Sequence, residues 1–424
     1  MKTVLRISML CFLGGAALAF PAVATAKQTL VVYACSPEQT TPLQKIMNDF
    51  GATNDVEVKL QVYPSDEYMQ VLTAAMNAGS QIDVVFANGQ DLRFMAQKGI
   101  VQDLTRKVNY KDRFHPAMLV PFTFSDHVYG LPTGSLVTSG VYYNKEIFAK
   151  VGITRVPENY EQFLDAAKKI RAAGISPIAM GGGDVYMWPM WFFETFAQTT
   201  KNHSFERTVD TLLGKAKFTD KDYLDSFTWL GRFGKDALFV KGVNGTSMDS
   251  ARSLFLSGKA AMFYGGTWEL NGFYQGGMSA EKMGILRFPV LVPGSYPEST
   301  GGPGTAWVVY SKIDSSRADL AYKLIDYATS DTVNAWFLEQ MKASNSVNRN
   351  VMASYSDDLV KSIATEFAPH TTTFLDWIWP PEITKAFQQQ IQAVIGGQTT
   401  PEKATEAIQK TYDDLSKGGY KFYN

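Results

Sequence analysis

The stretch from Tyr129 to Asp184 constrains the fold most, because strand and helix signals alternate along it. Tyr129-Gly130-Leu131-Pro132 leads into an extended apolar run that ends at Val141-Tyr142-Tyr143. Asn144-Lys145-Glu146 then reads as a helix start, since an Asn side chain can accept from the N–H groups that open a helix. Ile147-Phe148-Ala149-Lys150-Val151-Gly152-Ile153 follows, and after Pro157 an amphipathic helix is predicted from Tyr160 to Arg171. Gly174-Ile175-Ser176-Pro177-Ile178 is the next extended segment, closing on Gly181-Gly182-Gly183-Asp184. A chain that switches period in this way builds sheets covered by helices, so the fold class is α/β.

The rest of the chain has the same grammar. Thr29 to Ala34 reads as a strand, followed by the loop Cys35 to Thr41, and Pro42 opens a helix with Leu43, Ile46, Met47 and Phe50 on one face. Val56, Val58, Leu60 and Val62 alternate as a strand, Pro64-Ser65 starts a helix carrying Met69, Leu72 and Met76, and Ile82 to Phe86 is a short buried strand. Further strands are expected at Ala260 to Tyr264, Met283 to Phe288 and Thr305 to Tyr310. Helices are expected around Leu320 to Ala328, Val333 to Met341, Ile383 to Ile395 and Pro401 to Leu415. Ligands in such sheets sit at the carboxyl ends of strands, which singles out the loops Cys35 to Gln39 and Ala87 to Asp91.

The N-terminus reads as an export signal. Lys2 and Arg6 form a charged segment, Met9 to Phe20 an apolar core, and Ala24-Thr25-Ala26 a small-x-small cleavage site, so residues 1–26 are expected to be removed. The apolar core is shorter than the roughly 20 residues a membrane span needs. Neither Cys11 nor the Tyr33-preceded Cys35 has the small-residue setting of a lipoprotein. The mature chain would keep one cysteine, so burial and not a disulfide must hold the fold. Losing Lys2 and Arg6 from 40 basic residues leaves 38 against 41 acidic ones, a formal charge near −3. That balance offers no basic stripe for nucleic acid. A soluble periplasmic monomer of two domains is expected, since the chain is about twice a typical domain in length.

Several motifs in order carry a resemblance. Asp83-Val84-Val85-Phe86, Tyr129-Gly130-Leu131-Pro132, Tyr142-Tyr143-Asn144-Lys145, Gly258-Lys259-Ala260-Ala261-Met262, Gly266-Thr267-Trp268, Gly301-Gly302 with Val308, and Ala321 with Leu324 and Ile325 fall in sequence between residues 83 and 325. In this order the chain resembles the sugar-type extracellular solute-binding proteins that feed ABC importers, the group that includes the maltose-binding protein. The resemblance implies a two-lobe periplasmic-binding-protein fold, each lobe a mixed sheet flanked by helices, with the ligand in the cleft between them. Lobe one would hold 27–139 plus 287–341 and lobe two 140–286 plus 342–424, with hinge crossovers near 132–142, 284–292 and 341–347. It also implies a carbohydrate cargo, the membrane permease of an ABC importer as partner, no cofactor and no catalysis.

Sugar chemistry narrows the candidate residues. A pyranose has apolar C–H faces that lie on aromatic rings and hydroxyls that donate and accept, so Trp and Tyr platforms beside acidic and amide side chains suit it. Lobe two offers Asp184, Tyr186 and Trp188, then Trp268 with Glu269, and Asp376 with Trp377 and Trp379, while Trp307 follows Gly301-Gly302 near the crossing. Lobe one offers Glu38, Gln39, Asn88 and Asp91, with Thr133, Gly302 and Asn345 near the expected crossings. The glycine runs would let backbone amides approach a ligand closely.

Each candidate has a plainer reading. Trp188 can face the cleft or the core, and Trp191, Phe192, Phe193 and Phe196 after it stand at helical spacing and read as core. Trp229 and Trp336 likewise read as helix packing. Trp377 and Trp379 alternate around Ile378, so one of them, Trp377 by preference, is expected to face the ligand. Asp184 and Asp91 can cap helices, and Glu38 and Gln39 can be mere helix-entry residues. The nucleophile, phosphate-loop and zinc motifs of common enzymes are absent, and His115, His127, His203 and His370 are scattered. A glycoside hydrolase built on Asp184, Glu269 and Asp376 is the enzyme alternative. A non-sugar cargo such as a polyamine is the alternative within the same fold.

Overall fold

A computed structural model describes residues 27–422 except 36, 344, 353 and 356; the expected export signal at 1–26 lies outside the described residues. The first sheet runs in the order Val56–Val62, Gln28–Ala34, Val84–Ala87, Ala306–Val309, Leu131–Pro132. Its first three strands are parallel, with Val32 opposite both Leu60 and Val84, and Ala306–Val309 returns antiparallel against Val84–Ala87. Side chains alternate across it: Leu30, Val32, Phe86 and Trp307 enter one core with helices Thr40–Asn54 and Ser315–Ala328. Val31, Tyr33, Val85 and Val308 enter another with helices Ser65–Asn77 and Gly89–Gln97. This period of two is why the sequence could be read as strands. Asp83, wholly buried, accepts the Val31 N–H at 2.8 Å and pairs with Arg317 Nε at 2.9 Å, so this motif residue locks sheet to helix and stays out of the cleft.

The second sheet runs Thr371–Thr373, Ser299–Gly302, Val137–Asn144, Ala260–Gly266, Ser176–Ala179, with Met283–Leu286 also paired to Val137–Asn144. Asn144 caps helix Lys145–Lys150 by accepting the Ile147 N–H, as its place in the sequence suggests. Helix Met187–Thr199 is almost wholly buried, with Trp191, Phe192, Phe193 and Phe196 in the core of this lobe. Tyr142 and Tyr143 lie on the long strand, Tyr142 fully buried against Phe273.

Two boundaries differ from the expectation. Residues 287–302 belong with the second sheet and not the first: Phe288 and Leu291 sit in its core, the Val290 N–H donates to Glu158 O, and Gly301 and Gly302 pair with Thr138 and Val137. The apolar pattern around 285–291 marks burial but cannot tell which core receives it. The chain therefore passes between sheets from Pro132 to Val137 and from Gly302 to Ala306, not near 284–292. The last passage also comes later than expected: Ala343 and Val347 sit in the first core, Asn348 donates to Asp331 and the Arg349 N–H donates to Arg113 O, so the described residues of 342–351 stay with lobe one and not with lobe two. Among the described residues no helix is long and apolar enough to cross a membrane.

Candidate functional site

Lobe one presents two adjacent loops at the carboxyl ends of parallel strands. Glu38 and Gln39 form the turn Pro37–Gln39 after the first strand. Asn88 follows Val84–Ala87 and caps helix Gly89–Gln97: its Oδ1 accepts the Asp91 N–H at 2.8 Å and its Nδ2 donates to Asp91 Oδ2 at 2.9 Å. The cap is thus Asn88, with Asp91 as its reciprocal partner, the reverse of a cap by Asp91. Beneath both loops the Tyr68 hydroxyl bonds Phe86 O at 2.8 Å and Tyr33 O at 3.1 Å, fixing the strand ends side by side. Burial pushes the Asp91 carboxyl up to about 6, against the lowering hydrogen bond from Asn88. Burial also pushes Glu38 up to about 7; the charge on Glu269 adds to this and Arg252 opposes it.

Those last two residues belong to lobe two, so the walls face each other. Glu269 ends the turn Thr267–Glu269 after strand Ala260–Gly266, is buried, and is clasped by Arg252 through Nε at 2.7 Å and Nη2 at 3.3 Å. Arg252 also holds Asp249 at 2.6 Å. Burial raises the Glu269 carboxyl, with Arg252 and the Trp268 indole opposing. Tyr186 joins this group: its phenol is raised first by burial and then by Glu269, Asp184 and Glu38. The Asp184 carboxylate accepts the N–H of Met248, the first residue of helix Met248–Leu256. It therefore serves the start of a distant helix and not that of its own. Trp268, half-buried, lies flat against Gly266, where any side chain would run into its ring.

A second cluster closes the seam beside the first. Asp376 is pushed up to about 7 by burial, with the charge of Asp91 adding to it from across the cleft, and its Oδ1 is buried without a hydrogen-bond partner. Trp377 reaches over to lobe one: its ring centroid lies 6.2 Å from that of Phe122, and a Cβ on Gly89 would stand 3.1 Å from it. Gln90 Nε2 donates to Thr384 Oγ1 at 2.7 Å, a direct bond between lobes. The two lobes are closed on one another, and the carboxyls Glu38, Asp91, Glu269 and Asp376 are gathered where they meet.

Three expected indoles lie elsewhere. Trp188 is fully buried and donates its indole N–H to Gly182 O at 2.9 Å. Trp307 points into the lobe-one core against Phe86, because alternation on its strand sends it to the face away from Ala306 and Val308. Trp379 stacks on Phe387 at 4.1 Å inside lobe two, leaving Trp377 as the member of that pair on the seam. The glycines also work differently from the expectation. A Cβ on Gly182 would stand 2.6 Å from Trp188 and one on Gly302 2.9 Å from Trp377, so these glycines admit the protein's own rings. Thr133 and Asn345 sit at the passages between lobes, where the Thr133 N–H donates to Thr305 O and Asn345 O accepts the Leu136 N–H. Arg252, Gln90, Thr384 and Phe122 escaped the sequence reading. Gln90, Arg252 and Thr384 sit on ordinary amphipathic helices, where nothing local distinguishes a seam-facing polar residue from a solvated one, and Phe122 lies in the short turn Val120–Phe122.

A family model for bacterial extracellular solute-binding proteins matches residues 36–335 of this chain. The chain belongs to that family. Among curated relatives of this solute-binding protein, the multiple sugar-binding protein of Streptococcus mutans is 25% identical over 270 residues, 62% of each chain. The maltodextrin-binding protein of Bacillus subtilis is 22% identical over 408 residues, 94% of this chain and 92% of that one. Among solved structures, a chitin oligosaccharide binding protein superposes with a TM-score of 0.81 at 24% identity, covering 92% of this chain and 99% of that one. That superposition shows the shared two-lobe fold.

Proposed function

We propose that this solute-binding protein is the periplasmic receptor of an ABC importer, holding a carbohydrate of one or a few rings between its lobes and passing it to the membrane permease unchanged. The observation that carries the reading is the seam itself. Two aromatic platforms, Trp268 and Trp377, with Tyr186 between the charged groups, stand beside the acceptors Glu38, Asp91, Glu269 and Asp376, and these come from both lobes. Rings and acceptors together match a guest with apolar faces and a hydroxyl rim. The names of the relatives, which bind sugars, support the same class.

The mechanism is closure about the passages between sheets, with ligand contacts to both lobes made only in the closed form that the permease recognises. A micromolar affinity, about 8 kcal/mol, is within reach of a few stacked rings and charge-assisted hydrogen bonds after the cost of association. Residues 1–26 would direct export, the working form would be a monomer, and no cofactor takes part. One observation favours a second reading, an amine such as spermidine: Arg252 is committed to Glu269 and Asp249, and among the described residues Glu38, Asp91 and Asp376 form no salt bridge.

A thermal-shift screen of the mature protein against mono- and oligosaccharides and spermidine decides between them, since a guest that binds only the folded state must raise the transition temperature. A saccharide is expected to raise it and to be recovered intact. A shift with spermidine alone would replace the sugar by the amine, and hydrolysis of the saccharide would make the protein an enzyme.

A further inference from the structure

The least accounted-for charged group of lobe two is Glu194, on the buried helix Met187–Thr199 and outside the cleft. Its carboxyl is buried, and among the described residues no cation lies within salt-bridge distance of it. One oxygen gathers three donors from three strands. Oε1 accepts the Ser139 hydroxyl at 2.7 Å, the Tyr264 hydroxyl at 3.0 Å and the Thr300 N–H at 3.2 Å. Ser139 Oγ in turn accepts the same Thr300 N–H at 2.9 Å. The other oxygen, Oε2, is buried without a partner.

The placement of these donors is what matters. Ser139 lies on Val137–Asn144, the first strand after the passage from Pro132, and Thr300 lies on Ser299–Gly302, the last strand before the passage to Ala306. Only two residue pairs, Gly301 with Thr138 and Gly302 with Val137, join those strands through backbone register, and the Thr300 amide is served by side chains instead. Tyr264 brings in the neighbouring strand Ala260–Gly266. A buried acid with an unpartnered oxygen carries a desolvation cost that an apolar residue would avoid. Its place at the root of both passages points to a purpose other than filling the core.

We infer that Glu194 is a hinge-positioning residue: it ties the lobe-two ends of the two passages into one body, so that closure bends the connecting segments and not the strands behind them. This rests on the lobe-closure reading, but not on the identity of the guest. The titratable group facing Glu194 is the Tyr264 phenol, with Ser139 and Thr300 completing the shell. Burial holds Glu194 at about 7, the hydrogen bonds from Ser139 and Tyr264 opposing. Because this value lies above the ordinary 4.5, the clamp is at full strength below about 4.5, weakens progressively as pH rises from there, and carries the whole penalty once pH has passed about 7.

Amide hydrogen exchange of the unliganded protein tests this at Thr300. Glu194→Ala is expected to speed exchange there by about tenfold or more, the effect of taking an acceptor from a buried donor, while Phe163 and Ile170 on helix Tyr160–Ala172 change less than about twofold. In the wild-type protein Thr300 protection should fall between about pH 4.5 and pH 7 and level off above that, whereas Glu194→Gln, which keeps an acceptor but cannot ionise, should retain protection and lose that pH dependence. An unchanged Thr300 in the Ala variant, an equal rise at Phe163 and Ile170, or a pH profile that persists in the Gln variant would each overturn the assignment. None of these readouts needs a ligand, so a wrong cargo would leave the result intact.

Discussion

The aromatic core of lobe two and the seam between the lobes are both built from tryptophan, yet they use it oppositely. In the core, Trp191 touches Phe233, Phe239, Tyr264 and Phe288, and Trp379 touches Phe193 and Phe387. At the seam, Trp268 lies beside the Arg252–Glu269 pair and Trp377 spans to Phe122 of the other lobe. Trp377 and Trp379 are separated only by Ile378, and that short separation takes one indole from a dry interior to a surface the lobes share. An indole packed on all sides by hydrocarbon contributes stability. An indole with acids at its edge and a face toward a mobile partner is equipped for recognition.

The sharpest way to break that contrast is to remove one ring from each region. Trp379→Ala should cost about 3–5 kcal/mol of folding stability, since it deletes a large buried ring from a tightly packed core. Denaturant unfolding of the unliganded protein measures it, and a loss below about 1 kcal/mol would mean the core collapses around the gap. Trp268→Ala should do the converse. Affinity for the saccharide found in the screen should fall at least about tenfold, near 1.4 kcal/mol, with little change in the Tm of the empty protein. Calorimetric titration reads the first and a thermal melt the second; unaltered affinity would take Trp268 out of the site.

The same contrast explains how much the sequence could reveal. The elements were legible because burial leaves a period: Val56, Val58, Leu60 and Val62 alternate, and Trp191, Phe192, Phe193 and Phe196 recur as a buried helix must. The loops at the strand ends were legible because their position follows from the α/β plan, which brought Glu38 and Asp91 to the seam. What failed was choosing among indoles. Trp188, Trp307 and Trp379 sit next to glycine or loop signals, and a one-dimensional pattern does not tell a ring packed under a loop from one displayed by it. The clasp of Glu269 by Arg252 and the bond from Gln90 to Thr384 were illegible for a further reason. They join residues 17 and 294 positions apart, and no local pattern names the partner of a polar side chain. The passage at Gly302 was misplaced because both cores accept the same apolar residues.

The smallest expected effect concerns acids rather than rings, and it tests the seam through the pH response of the empty protein's shape. In the closed form burial holds Glu38 and Asp376 at about 7 and Asp91 at about 6. Opening the cleft would return water to all three and let them ionise at their ordinary 4.5 and 3.8. The closed form therefore holds protons more tightly than the open one. Closure without a guest is unhindered at pH values below the ordinary range, is penalised progressively above it, and carries the full penalty once pH has passed about 7. Small-angle scattering of the ligand-free protein should accordingly give a smaller radius of gyration near pH 5 than near pH 8. Asp376→Asn should narrow that difference, because it removes both a titrating group and the charge that faces Asp91 across the lobes. Donor groups on a bound guest would lift the same penalty, which is how an acidic seam can keep an empty receptor open and close a loaded one. Equal radii at the two pH values in the wild-type protein would show that the seam carboxyls do not govern closure.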